Sequence, residues 1–418
     1  MSRQQPDVLV LGGGAVGLAC ALYLLRAGRS VMVIDRGKVG AATSHGNCGT
    51  ITPSHSVPLA APGVLIQALR WMLKTDAPLR IAPRLDFALF EWLLQFARRS
   101  NAGECRRVTA IKAPLLLRAR AELEDLVHNE NLACEFQTSG TLNVYRDACE
   151  FEKSHATVQL ASEFGITAEA LDGAVCRARE PALNDSIVGG YFNPNDAQLR
   201  PERYCSELAR AVIALGGEIR EDTQITGFRT GGGRIDSVVT AQGEFSGRDI
   251  VFALGSWSPQ VARQLDLRIP IQPGKGYSIT YTRPTRPPRI PLSLKERAVC
   301  VTAWESGYRL GSTMEFSGFD DSLNRTRLNA LKRGAAEYLI EPEGPSMVEE
   351  WYGWRPMTYD DLPILGRTAT LKNLALATGH GMLGITMSAI TGRLIAELID
   401  GATPSLDLDP FSPARFNI

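Results

Sequence analysis

DVLVLGGGAVGLACALYLLRAGRSVMVID, residues 7–35, is the stretch from which the rest of the chain is read. Its first five residues form an apolar run suited to a buried strand, and GGGAVG follows at once. Residues 15–27, AVGLACALYLLRA, are helix formers, apolar on most sides, with Gly28 placed as a C-terminal stop. VMVID makes a second strand that ends at Asp35. Gly12, Gly14 and Gly17 fall at the G-x-G-x-x-G positions. The first permits a tight turn, the second lets a pyrophosphate approach the backbone, and the third lets helix and strand pack closely. Ala15 and Val16 open the helix, whose unpaired N–H groups and positive dipole end favour that anion. Asp35, 18 residues after Gly17 and followed by Arg36, is placed to accept hydrogen bonds from ribose hydroxyls. An acid there disfavours a 2′-phosphate, so FAD or NAD is expected rather than NADP.

The same stretch contains an 18-residue uncharged run, Val8 to Leu25, which invites a membrane-helix or signal-peptide reading. Gly12–Gly14 interrupt it, and Asp7 with the single Arg3 gives no basic leader, so we read a strand, a turn and a helix, all buried. At roughly 100–200 residues per domain, 418 residues allow two to four domains. Lys+Arg and Asp+Glu are 45 each, and this zero balance argues against a nucleic-acid or anionic-membrane partner found by bulk charge. The eight cysteines are scattered without a Cys-x-x-Cys pair, and the five histidines include no His-x-x-x-His pair. No protein-held metal is indicated, and a reducing, cytoplasmic compartment is expected.

What separates FAD from NAD lies further along. AATSHGNCGTI, residues 41–51, is a small, polar segment suited to lying along a long cofactor. Thr43 and Ser44 are expected to reach phosphate, while Asn47, Gly49 and Thr50 offer donors to a ring edge. RPERYCSELARAVIAL (200–215) reads as a helix with Pro201 near its start, Gly216 after its end and a buried stripe of Leu208, Val212 and Leu215. EIREDTQITGF follows as a strand, then VFALGSW at 251–257. LALATGHGMLGITMSAITGRLIAELIDG (374–401) gives a strand, a second glycine turn and a helix. A cofactor whose ring lies far from its pyrophosphate needs that second turn, and a single-nucleotide site does not.

LGGGAVG with VID, ATSHGNCGTITPSHSVPLAAPG (41–63), SGTLNVYR (139–146), GKGYSIT (274–280), GWRPMTYDDLPILGR (353–367) and TGHGMLGITM (378–387) together resemble the FAD-dependent D-amino acid oxidase superfamily. The similarity covers nearly the whole chain and is greatest to the bacterial D-amino acid dehydrogenase branch, with the D-proline or D-hydroxyproline dehydrogenases as a narrower match. It implies an α/β, two-domain fold in which a Rossmann-type FAD-binding domain (1–80, 195–262, 353–418) interleaves with an antiparallel-sheet substrate domain (81–194, 263–352). GTLNVY, GYSITYT and AVCVTAW are the expected sheet runs, with RPTRPPRIP (283–291) as a rigid connector. By the same resemblance Ile225 would present its backbone to adenine and Gly255 would lie near the pyrophosphate. Gly379, Gly381, Met382, Leu383 and Gly384 would wrap the isoalloxazine, and Arg355 would pair with the substrate carboxylate. Covalent-flavin relatives use a cysteine near this region; WRPMT has none, so non-covalent FAD is implied.

The implied reaction is oxidative deamination of a D-amino acid by hydride transfer from Cα to flavin N5, giving an imine, then a 2-oxo acid and ammonia. Electrons would pass to a quinone or respiratory acceptor, and cyclic substrates such as D-proline or cis-4-hydroxy-D-proline are included. Arg355 suits a bidentate carboxylate clamp. Tyr277 is the candidate second carboxylate or ring contact, set against a half-buried strand tyrosine. His380 either lines the pocket or fixes the glycine turn. His45 and His55 rank lower, Cys48 stands where a small residue is expected, and no Asp or Glu base is evident. Two other readings remain: an oxygen-using oxidase of the glycine or sarcosine type that releases peroxide, and a non-catalytic FAD-binding subunit. Residues 58–98 carry two amphipathic helices, with Leu65, Ile66, Leu69, Met72 and Leu73 in one stripe and Phe87, Phe90, Leu93 and Leu94 in the other. They are expected to pack on the protein as a lid or bridge, the alternative being a peripheral contact with the inner face of the cell membrane or a quinone.

Overall fold

The computed structural model describes residues 5–72 and 77–418. Strand Val8–Leu11, helix Ala15–Arg26 and strand Val31–Ile34 form in the expected order, the strands pairing in parallel with Val8 opposite Val31. Every residue of both strands is buried, as a parallel sheet covered by helices requires. Four more strands complete this sheet. Its order is Ile364–Arg367, Leu374–Thr378, Asp249–Phe252, Val8–Leu11, Val31–Ile34 and Glu218–Arg220. All neighbours run parallel except the antiparallel edge strand Ile364–Arg367. The C-terminal helix Gly384–Asp400 ends at Gly401 (φ 72°), as the glycine stop predicts. It packs closely on helix Ala15–Arg26 because Gly392 bears no side chain: a Cβ there would come within 2.7 Å of the Ala19 carbonyl oxygen.

GTLNVY, GYSITYT and AVCVTAW all enter one nine-stranded sheet. That sheet is mixed rather than purely antiparallel. Leu292–Leu294 pairs in parallel with Thr141–Tyr145, and Leu79–Ile81 pairs in parallel with Gly307–Phe316. Long connections, not hairpins, join these pairs, and they allow the parallel sense. Strand Met347–Thr358 runs through residue 353 and pairs along its length with Ile271–Tyr281. Arg355 therefore projects from this sheet and not from the six-stranded one.

Other expectations need correction. Helix Pro201–Ala214 buries Leu208 and Val212, but Leu215 is its cap residue and is 47% exposed. EIREDTQITGF is two strands, Glu218–Arg220 in the six-stranded sheet and Ile225–Gly231 in a separate three-stranded sheet, because Asp222 (φ 52°) turns the chain between them. Helix Ala102–Asn129, which the sequence reading did not identify, carries Pro114 in its interior and packs against Gly384–Asp400. In residues 58–98 the helices are Val64–Met72 and Phe87–Arg99. The second buries Leu89 and Trp92, and the Trp92 indole donates to the Met357 carbonyl at 3.0 Å. Phe87 and Phe90, expected to pack inward, are 90% and 68% exposed, and Leu65, Ile66 and Leu94 are also exposed. Leu73 and the side chains of Leu69 and Met72 lie outside the described residues. Among the described residues, no helix is long and apolar enough to cross a membrane.

Candidate active site

A cleft of about 1830 Å³ runs from the first glycine turn to the nine-stranded sheet. An ordinary small-molecule pocket holds roughly 300–1000 Å³, so there is room for an extended cofactor and a substrate.

At one end the glycines divide their work. Gly12 has φ 103°, and a Cβ there would meet the Ala253 carbonyl oxygen at 2.4 Å; Gly17 would meet the Gly12 carbonyl at 1.9 Å. Gly14 instead faces open space, its nearest neighbour being Ser44 Oγ at 3.6 Å. It is the backbone that an anion can approach. No side chain caps helix Ala15–Arg26, although the Ala15 N–H donates to Ser44 Oγ at 3.2 Å. Val16 lines the cleft beside it. Asp35 accepts from the Gly13 and Gly37 N–H groups at 2.7 and 2.8 Å, one bond on each oxygen, which leaves further lone pairs for hydroxyl donors. Burial raises its pKa. The Arg36 guanidinium sits 4.0 Å from the Trp257 ring centre. Ile225, Gly255 (φ 54°) and Thr50 also line the cleft.

At the other end the turn 379–383 leads into helix Gly384–Asp400, again with no side-chain cap. Gly381, Met382, Leu383 and Gly384 line the cleft. Gly379 (φ 77°) is needed for packing, since a Cβ there would lie 2.8 Å from Thr358 Cγ2. His380 is buried and its Nε2 bonds Thr391 Oγ1 at 2.9 Å, so the ring braces the turn against its helix. Burial pushes its pKa down to about 3. Two long helices thus aim uncapped N-termini at one cleft. That arrangement fits a ligand with a diphosphate at one end and a ring that gathers negative charge at the other.

The loop between differs in detail from expectation. Thr43 Oγ1 donates to the Trp354 carbonyl at 2.7 Å, so its proton is unavailable to phosphate. The Gly49 N–H is taken by Asn47 Oδ1 at 2.7 Å, which leaves the Asn47 amide as the donor. His45 Nε2 lies 2.9 Å from Glu349 Oε1, tying this loop to strand Met347–Thr358. The Glu349 hydrogen bond raises the His45 pKa above 6.5 and lowers that of Glu349. The contribution to stability is therefore fully present only between about pH 4.5 and 6.5; it disappears as pH rises through the raised His45 value and as pH falls through the lowered Glu349 value. Both side chains are about one-third exposed, at 31% and 35%, and solvent screening keeps the pair below about 1 kcal/mol. Thermal melts of the native chain and His45→Gln should differ most between about pH 4.5 and 6.5 and converge on either side of that window.

Arg355 sits where the cleft meets the nine-stranded sheet. Its Nη1 donates to the Thr313 carbonyl at 2.8 Å, and no carboxylate among the described residues pairs with it. Burial lowers its pKa, so the site holds an under-neutralised cation. A β-bulge presents that carbonyl. Across the pairing, Lys275 faces Glu315 while Tyr277 faces Ser312, so strand Gly307–Phe316 carries an extra residue. Ser312 (φ 112°) and Thr313 (φ 55°) hold the strained conformation. Gly276 makes the space: a Cβ there would come 2.3–2.5 Å from the guanidinium. The crowded atoms are the far end of a flexible side chain. Gly276→Ala should therefore fold and keep its cofactor, yet raise KM markedly by displacing Arg355; steady-state kinetics beside a thermal melt separate the two effects.

The Tyr277 hydroxyl donates to Glu315 Oε2 at 3.0 Å, and burial, with the Glu315 charge and this bond, raises its pKa. Its proton is committed, although the residue borders the cleft. Cys300, Ser312, Trp351 and Lys295 also line the cleft and escaped the sequence reading. Alternation in a strand shows that a residue faces one side, but not which other segment covers that side.

A family profile described as "FAD dependent oxidoreductase" (DAO) matches residues 7–398. A protein named D-amino acid dehydrogenase from Granulibacter bethesdensis is 35% identical over 415 residues, covering 98% of this chain and 99% of the relative. One of the same name from Vibrio atlanticus is 32% identical, covering 98% and 100%. Among solved structures, glycine oxidase from Geobacillus kaustophilus superposes with TM-score 0.80 at 21% identity, covering 98% of both chains. L-proline dehydrogenase from P. horikoshii gives 0.77 at 18%, covering 99% and 98%.

Proposed function

Because this chain belongs to the DAO family of FAD-dependent oxidoreductases, we propose that it dehydrogenates D-amino acids, giving an imine and then a 2-oxo acid and ammonia. The observation that carries the reading is Arg355, a cation without a carboxylate partner among the described residues, fixed by a bulge at the substrate end of a cleft that has two uncapped helix starts. Support for the D-amino acid comes from the full-length relatives of that name.

FAD, held non-covalently, supplies a two-electron acceptor for the hydride that leaves Cα. Gly12, Gly14, Ala15, Val16, Gly17, Asp35 and Arg36 would hold its adenosine diphosphate half, with Ile225 and Gly255 opposite. Asn47, Thr50 and the turn Gly379–Gly384 would hold the ring. Arg355 binds the carboxylate through two parallel N–H···O bonds, which fixes the direction of Cα–H as well as affinity. The start of helix Gly384–Asp400 offers a positive end where negative charge accumulates. Tyr277 and His380 serve this site through Glu315 and Thr391, shaping its wall and its turn. The division into an FAD unit (1–80, 195–262, 353–418) and a substrate unit (81–194, 263–352) belongs to the same proposal, with strand Met347–Thr358 crossing its boundary at 353 and carrying Arg355 on the substrate sheet. So does a quinone or respiratory acceptor, reached through a peripheral membrane contact at the exposed Ile66, Phe87 and Phe90.

Anaerobic mixing with D-Ala, D-Met, D-Phe, D-Pro, cis-4-hydroxy-D-proline, glycine, sarcosine and the L-enantiomers tests the reading. Bleaching of the flavin by D-amino acids is expected, and bleaching by L-forms alone would refute it. Peroxide release in air, compared with quinone reduction, distinguishes an oxidase from a dehydrogenase.

A further inference from the structure

Cys300 lies on strand Val299–Trp304, opposite Ser293 on one side and Gly311 on the other. Side chains directly opposite each other on paired strands share a face, with Cβ atoms about 4.5–5.5 Å apart. Gly311 leaves its slot empty, and the Cys48 sulfur fills it: a Cβ built on Gly311 would lie 2.5 Å from Cys48 Sγ. Two cysteines 252 positions apart in sequence therefore occupy adjacent slots on one sheet face. Both line the cleft and both are partly exposed, whereas Cys20, Cys105, Cys134, Cys176 and Cys205 are buried. Cys48 is also held from the loop side, since Arg309 Nη1 donates to the carbonyls of His45 and Asn47 at 3.0 and 2.7 Å. The two thiols therefore face each other across one strand spacing, and the Cys300 thiol, with the Arg309 and Arg355 charges, lowers the Cys48 pKa while that of Cys300 is raised. A partly exposed thiol with a lowered pKa, set beside a second thiol, is the arrangement of a redox-sensitive pair.

We propose that Cys48 and Cys300 are a redox modification site, which a hydroperoxide converts to a disulfide that narrows the carboxylate end of the cleft beside Arg355. The Cys48 thiolate attacks the O–O bond of hydrogen peroxide, giving a sulfenic acid and, with one proton, water. The Cys300 thiol attacks that sulfur, the S–S bond forms, and the hydroxyl leaves with the remaining proton as a second water. The sulfur pair loses two electrons and the peroxide gains them. The link draws the 41–51 loop onto the sheet. Its effect on turnover rests on the proposed role of Arg355, while the link itself does not.

The test uses the full FAD-loaded chain, reduced, freed of reductant and titrated with hydrogen peroxide. Non-reducing peptide mapping should find Cys48 joined to Cys300 at doses that leave the exposed Cys149 as a free thiol. KM for the D-amino acid should rise several-fold, recover with dithiothreitol, and no longer respond to peroxide in Cys48→Ser or Cys300→Ser. Failure to detect the link at doses that oxidise Cys149, a link that leaves KM unchanged, or a peroxide response surviving in Cys300→Ser would each overturn the proposal. If the reduced chain bleaches with no D-amino acid while the link still maps, the substrate reading has failed and the modification site has not.

Discussion

Replacing Arg355 with alanine is expected to lower kcat/KM for D-amino acids by roughly 10²–10³-fold, because truncating one member of a buried, hydrogen-bonded charge pair costs about 2–5 kcal/mol. The FAD spectrum should be unchanged, since Arg355 projects from the nine-stranded sheet while the glycines proposed to hold the diphosphate follow a strand of the other. Stability should change little. The side chain has no carboxylate partner to orphan among the described residues, bonding instead to the Thr313 carbonyl and Met314 Sδ, and burial already disfavours its charge. Arg355→Lys keeps a cation but loses the planar pair of donors, so its loss should be intermediate. The measurement is the rate of flavin reduction against substrate concentration under anaerobic conditions. Native rates in the alanine variant would remove Arg355 from the carboxylate site.

Gly17→Ala should abolish FAD binding. Its Cβ would stand 1.9 Å from the Gly12 carbonyl oxygen, backbone against side chain with no flexible atom to yield. Helix Ala15–Arg26 must then lift from the turn, moving the N–H groups that would face the diphosphate. Overpacking of this kind costs about 1–3 kcal/mol or more in stability, and cofactor loss adds to it. The chain should purify colourless with a lowered melting temperature, and added FAD should not restore it. Gly14→Ala is the comparison: it has open space and can fold, so its deficit should fall on cofactor affinity rather than on stability.

Much of this was legible because the signals are local. A strand, a glycine turn and a helix declare themselves within a few residues, and both such units, at residues 7–35 and 374–401, formed where the pattern placed them. The misreadings share a cause. Leu215 fits the helical stripe but falls on the cap, and Phe87 and Phe90 fit a stripe whose partner surface is absent among the described residues. Periodicity reports which residues share a face, not what that face meets. Likewise, Thr43 and Gly49 have suitable donors by residue type, and only the folded neighbours show those donors already spent.

By itself, the sequence determined the strand–turn–helix unit at 7–35 and the second glycine turn at 378–384, because glycine geometry and helix termini act over distances of a few residues; Arg355 was singled out by the family resemblance alone. The tertiary structure alone decided that Arg355 stands on the nine-stranded sheet, that a bulge at Ser312–Thr313 and the bare Gly276 hold it, and that Cys48 fills the slot across from Cys300. Those facts depend on strand register and on the packing of segments hundreds of residues apart, and a one-residue change in register would turn each side chain to the opposite face.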